Sequence, residues 1–172
     1  MSEAELTYIA QLAEKSDAIV ELGSWRGRSA VAWAVNTSGV VYCVDTWAND
    51  AYGAVFPNDP PDLCQRPEWL MIEFLKNTAG LDNIIPIRTT TVNGANVLSS
   101  MGIRPDVVFI DAGHYYGDVI ADIQAWKPLL AEGGVLCGHD YNPVHHPEVI
   151  RAVRELIPVF RVIDTIWTTE GC

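Results

Sequence analysis

Six acids and histidines stand within or just after apolar runs of strand length in this chain. Glu21 lies in Ala18–Leu22, Asp45 follows Val40–Val44, and Asp111 follows Asp106–Ile110. His114 comes three residues after Asp111, and His139-Asp140 follows Val135–Gly138. A histidine titrates near neutral pH and can take a proton from a hydroxyl. Two carboxylates and an imidazole brought together make a divalent-metal site, so Asp111, His139 and Asp140 are read as ligands. His114 is read as the base. Capping of turns by Asp111 and Asp140, with packed histidines, is the weaker alternative.

A second group is read as nucleotide-binding. Glu21-Leu22-Gly23-Ser24-Trp25-Arg26-Gly27 is a Gly-x-x-x-Gly turn from strand to helix. Glycines let the backbone turn sharply and approach a ligand, and the following helix offers free N–H groups. Trp25 breaks the Gly-x-Gly-x-x-Gly dinucleotide pattern. Asp45 is spaced to accept from ribose hydroxyls, and Trp47 could cover a base. Thr90 and Thr91, after Ile84–Arg88, either cap the next helix or border the base.

The elements that must position these residues alternate. Helical patterns fall at Arg28–Asn36, Glu68–Leu81, Val92–Met101, Gly117–Ala131 and His146–Ile157, between the five Val- and Ile-rich runs. In the fourth helix Val119, Ile123, Trp126 and Leu130 form an apolar stripe, with Asp118 and Asp122 placed on a solvated face. Phe160–Ile163 and Ile166–Thr169 read as a hairpin through Asp164–Thr165. The expectation is an α/β fold: one domain over residues 1–172, a doubly wound, mainly parallel sheet with a β-hairpin at its C-terminal end. Ligands in such sheets bind beyond the carboxyl ends of the strands. Asp50–Pro67, with its prolines, is the expected lid.

Composition narrows the partners. The 172 residues are 49% hydrophobic and 19% charged, which fits a folded globular chain. Lys plus Arg is 11 and Asp plus Glu is 22, a net charge of −11. That charge opposes nucleic acid and anionic membrane surfaces as partners. No run reaches the roughly 18 apolar residues of a membrane span, and the first residues carry acids where a signal peptide has bases. Cys43, Cys64, Cys137 and Cys172 are scattered, the pattern of reduced structural cysteines. A cytoplasmic setting is expected.

The motifs in order resemble the class I S-adenosylmethionine-dependent methyltransferases. They are Glu21-Leu22-Gly23-x-x-x-Gly27-Arg28-Ser29, Val44-Asp45-Thr46-Trp47, Phe109-Ile110-Asp111-x-x-His114-x-Tyr116, Asp122-x-x-x-Trp126 and Gly133-Gly134-x-x-x-Gly138-His139-Asp140-Tyr141. The closest subgroup is the small-molecule O-methyltransferases that include macrolide-sugar and cephalosporin-type enzymes. The resemblance runs from about Ala18 to the end and implies a Rossmann-like sheet. It implies that Glu21, Gly23, Ser24 and the turn to Gly27 hold the methionine portion of S-adenosylmethionine. Asp45 would bind the ribose, with Thr46 beside it, and Trp47 would flank the adenine bordered by Thr90 and Thr91. Asp111 would touch cofactor and metal, and the metal, magnesium in most such enzymes, would sit on Asp111, His139 and Asp140. His139 stands where many metal-dependent members carry an acid. His114 matches the base. A small-molecule hydroxyl is then the acceptor, and a homodimer is allowed. A nicotinamide-dependent oxidoreductase and a non-catalytic cofactor-binding domain are the alternatives.

Overall fold

The computed structural model describes residues 1–48 and 68–171; the expected lid, Asp50–Pro67, lies outside the described residues. Helix α1 (Glu3–Ala13) precedes β1 (Ala18–Leu22), α2 (Arg28–Asn36), β2 (Val40–Asp45) and α3 (Trp69–Asn77). There follow β3 (Ile84–Arg88), α4 (Thr91–Ser100), β4 (Val107–Ile110), α5 (Tyr116–Trp126) and β5 (Val135–Gly138). The chain then makes α6 (Pro147–Leu156), β6 (Arg161–Ile163) and β7 (Ile166–Thr168).

The strands form one sheet in the order β3-β2-β1-β4-β5-β7-β6. The first five are parallel, and β7 runs antiparallel to both β5 and β6. The doubly wound sheet with its terminal hairpin is therefore present, and the hairpin's second strand is the one that joins the sheet. Each central strand is buried on both faces, which accounts for its nearly continuous apolar sequence. On one face Leu98, Ile123, Trp126 and Val153 of α4, α5 and α6 pack over Val20, Leu22, Val108 and Ile110. On the other, Ile9, Leu12, Trp33 and Phe74 of α1, α2 and α3 pack over Ile19, Val41, Val107 and Phe109. Cys43 and Cys137 are buried free thiols.

Three features differ from the sequence expectation. Helix α1 was not expected. It starts in a capping box: the Ser2 N–H donates to Glu5 Oε2 at 2.6 Å and the Glu5 N–H to Ser2 Oγ at 3.3 Å. It is tied to β7 by Tyr8 and Thr168, whose hydroxyls lie 2.6 Å apart. Helix α5 stops at Trp126 and tightens into a 3-10 turn, Lys127–Leu129, at Pro128, which has no N–H to continue an α-helix. Asp122 is buried rather than solvated, at 2% exposure. Burial pushes its carboxyl up to about 6 against the pull of a hydrogen bond from Thr91. With Trp126, whose Nε1–H donates to the Thr91 carbonyl at 3.1 Å, it fastens α5 to the start of α4. Among the described residues no helix is long and apolar enough to cross a membrane.

Candidate active site

The sheet order reverses between β1 and β4, and the chemistry-bearing residues gather at the carboxyl ends of the strands around that point. Backbone bonds set the spacing. Gly23 N–H donates to the Val44 carbonyl at 2.9 Å, Asp111 N–H to Leu22 at 2.9 Å and His139 N–H to Ile110 at 2.9 Å. The turns leaving β1, β4 and β5 are thus stitched edge to edge. Gly23 adopts φ +84°, and a Cβ there would overlap the Asp111 carbonyl. No other residue lets the two turns come this close.

Glu21 is fully buried in this junction. Burial pushes its carboxyl up to about 7, the Ser24 and Ser29 hydroxyls offset part of that, and the charges of Asp111 and Asp45 add to it. Ser24 is 2% exposed. Among the described residues neither Glu21 Oε1 nor Ser24 Oγ completes a hydrogen bond of proper geometry. A buried carboxyl with one oxygen unpartnered, beside the close backbone approach at Gly23, fits a cofactor that brings its own cationic groups, as S-adenosylmethionine does.

Asp45 accepts from the Trp25 N–H at 2.8 Å and from the Trp47 N–H at 2.7 Å, so it shapes both loops while keeping further lone pairs. Burial raises its pKa, and those backbone bonds oppose the rise. Thr46 is exposed and its hydroxyl accepts from the Ala48 N–H at 3.3 Å. Trp47 does not offer its ring to a base: it is 1% exposed, packs against a tilted Phe74 ring at 4.8 Å between centroids, and donates Nε1–H to the Trp25 carbonyl at 2.8 Å. The exposed indole beside Asp45 belongs to Trp25, 42% exposed at φ 44°. Thr90 caps α4, its hydroxyl accepting from the Asn93 N–H at 3.3 Å, and Thr91 serves Asp122 and Trp126.

Across the junction lies a network of histidines and acids, in a pocket whose lining includes Asp111, Gly113, His114, His139 and Asp140. His114 Nε2 is 2.7 Å from Asp140 Oδ2. His139 Nδ1 is 3.1 Å from Asp140 Oδ1 and 3.7 Å from Asp111 Oδ1. On its far side His139 Nε2 is 3.3 Å from Glu5 Oε1 and 3.1 Å from the Thr165 hydroxyl. Thr165 in turn donates its hydroxyl to Glu5 Oε1 at 2.6 Å and its N–H at 3.1 Å. Asp140 sits at φ 62°, a left-handed conformation unusual for a residue with a side chain.

The charges of this network follow its contacts. Burial pushes Asp111 up to about 6, with Asp140 adding and His139 and His114 opposing. The hydrogen bond to Asp140 raises His114 over the opposing effect of burial. Burial disfavours the charge on His139, but Asp140, Asp111 and Glu5 lift it to about 9. Burial works against the Asp140 carboxylate, yet His114 and His139 hold it far below the usual range.

Asp111, His139 and Asp140 each offer a ligand atom, all within 4.8 Å of one another. The Glu5 contact holds one imidazole nitrogen and turns the other toward the two acids, the arrangement metal-ligating histidines use. The donor set therefore fits a divalent ion, which would displace a proton from His139 on binding. Glu5, Thr165 and His146, which lies 3.6 Å from Asp140 Oδ1 through its Nε2, escaped sequence reasoning. Only Glu5 left a signal, the Ser2-x-x-Glu5 capping pattern, and that marks a helix rather than its neighbours.

Comparison with known proteins agrees with this fold. The family model described as a methyltransferase domain matches residues 20–141, from within β1 to just past Asp140. No curated protein sequence matches. CalS11, a TDP-rhamnose 3'-O-methyltransferase of calicheamicin biosynthesis, superposes with a TM-score of 0.65 at 13% identity over 95% of this chain and 76% of its own. The O-methyltransferase NovP gives 0.64 at 17% identity, over 96% and 78% of the two chains. An rRNA methylase from Streptococcus thermophilus gives 0.64 at 15% identity, over 98% and 96%. At such identities the likeness is one of fold.

A glycine turn after β1, an acid ending β2 and the sheet order seen here define a class I methyltransferase fold. The chain belongs to the methyltransferase-domain family, and its methyl donor is S-adenosylmethionine.

Proposed function

We propose that the chain methylates an oxygen of a small-molecule hydroxyl acceptor, with His114 as base and a divalent ion on Asp111, His139 and Asp140. The observation that carries this reading is the 2.7 Å contact between His114 Nε2 and Asp140 Oδ2, in the pocket shared with Asp111. When bound, S-adenosylmethionine supplies a methyl group already activated on a sulfonium, and the ion lowers the pKa of the acceptor hydroxyl.

The chain's own contribution is to position and deprotonate. Glu21, Ser24 and the Gly23 turn receive the cationic end of the donor, and Asp45 receives its ribose. Their fixed relation to Asp111 sets the approach of the two reactants, which supplies much of the acceleration. Asp140 holds His114 through Nε2, so that Nδ1 is the atom that takes the hydroxyl proton, as a carboxylate orients an imidazole base elsewhere. The raised pKa makes His114 a stronger base once neutral. A net charge of −11 supports a small acceptor over a polyanion.

The test is His114→Ala. It should bind S-adenosylhomocysteine as the wild type does in calorimetric titration. Turnover with hydroxyl acceptors should fall about 10²- to 10⁴-fold, the usual worth of a general base. Undiminished turnover would reject the assignment.

A further inference from the structure

Asp140 is met by more imidazoles than its charge requires. Besides His139, both His114 and His146 turn Nε2 toward it, at 2.7 Å from Oδ2 and 3.6 Å from Oδ1. The two rings lie with centroids 4.4 Å apart, tilted 44° to each other. One ligand atom from each of His114, Asp140 and His146 lies within 4.8 Å of the others. His146 is held in place by its loop. Asn142 Oδ1 accepts from the N–H groups of Val144 at 2.9 Å and His145 at 3.2 Å, and the Asn142 carbonyl accepts from the His146 N–H at 2.8 Å. The three side chains are 34%, 20% and 28% exposed, so an ion from solvent can reach them.

We infer that His114, Asp140 and His146 form a second cation site, selective for a borderline transition-metal ion such as zinc or cobalt(II), and that filling it stops methyl transfer. Two imidazoles and one carboxylate suit zinc and its neighbours, which take nitrogen readily, whereas magnesium demands oxygen. The set Asp111, His139 and Asp140 offers one nitrogen and two oxygens. The two sets share Asp140 and differ in donor chemistry. An imidazole bound to metal through Nε2 carries its proton on Nδ1 and has no lone pair left for a hydroxyl. The ion thus removes the base. This inhibitory arm rests on the function proposed above; the binding arm does not.

Cobalt(II) is the probe, because its visible bands report the ligand set without any methyl transfer. The protein used is Asp111→Asn, which weakens the neighbouring set; His139→Gln serves should that variant melt early. Cobalt bands should appear and zinc should abolish them. Adding His146→Ala should erase the bands and weaken zinc binding about a hundredfold or more, at least the loss seen when a mere supporting contact of a metal ligand goes. Absent bands, or bands indifferent to His146→Ala, would overturn the site. In turnover, zinc should inhibit the wild type, while His146→Ala, measured against its own zinc-free rate, resists zinc. Zinc bound through His146 with turnover intact would overturn the inhibition. An enzyme inactive on every hydroxyl acceptor that still shows His146-dependent bands would reject the proposed function and leave the site standing.

Discussion

Glu5 and His139 stand 134 positions apart in the chain, yet Glu5 Oε1 lies 3.3 Å from His139 Nε2. The carboxylate is 2% exposed and also receives two hydrogen bonds from Thr165. Burial opposes its charge, but Thr165, the Ser2 N–H and His139 bring it down to about 2 from 4.5. A carboxyl lowered on folding stabilises the fold above its unfolded pKa, and that stability is lost as pH falls through the folded value. Glu5→Gln keeps the capping geometry and removes the charge. Urea unfolding at pH 7 should show the variant less stable by about 2–3 kcal/mol. The gap should close as pH falls from 4.5 toward 2. Equal stability at pH 7 would mean the charge contributes nothing.

Glu21 behaves in the opposite sense. Its pKa is raised from 4.5 to about 7, so the folded state keeps a proton that the unfolded chain releases. Stability therefore declines as pH rises from 4.5 to 7 and stays reduced above that. Cofactor-free Glu21→Gln should be more stable than wild type at pH 8, by up to about 3 kcal/mol. On the proposed function its affinity for S-adenosylhomocysteine should drop, because the carboxylate proposed to meet the ammonium group is removed. A thermal melt and a calorimetric titration on the same samples check both signs. A variant that gains no stability at pH 8 would contradict the buried-charge account.

Asp45 joins two roles that substitution should separate. Asp45→Ala strands the Trp25 and Trp47 N–H groups and should cost about 1–3 kcal/mol in stability. It should also weaken S-adenosylhomocysteine binding, while the response of turnover to a chelator stays as in wild type. Unchanged affinity in calorimetry would exclude contact with the ribose.

Gly23→Ala places a methyl against the Asp111 carbonyl at a φ that disfavours any side chain. The loss should exceed about 1 kcal/mol, seen as a lower melting temperature. Cofactor affinity should suffer together with stability. An alanine variant as stable as wild type would show that the two turns can separate.

Much of this was legible in the sequence because it is local. Runs such as Ala18–Leu22 and Ile84–Arg88 are strands at the expected bounds, since both faces of a parallel strand are apolar. Asp111, His114, His139 and Asp140 met as expected because parallel neighbours bring their carboxyl ends together. The failures are tertiary. Asp122 reads as solvated by helical spacing, but Thr91 at the start of α4 covers it. Trp47 reads as a ring beside a base, but it is buried against Phe74. Glu5 and Thr165 reach His139 only because β7 inserts between β5 and β6, and nothing in either local sequence encodes that insertion.

The contact between Gly23 and Asp111 also bears on motion. Close-packed backbones transmit displacement instead of absorbing it. The turns after β1 and β4 are therefore coupled at this contact, so that a shift of one is carried to the other. Laboratory evolution toward bulkier acceptors would accordingly find its freedom in the α6 approach and the surface loops, and very little at this seam.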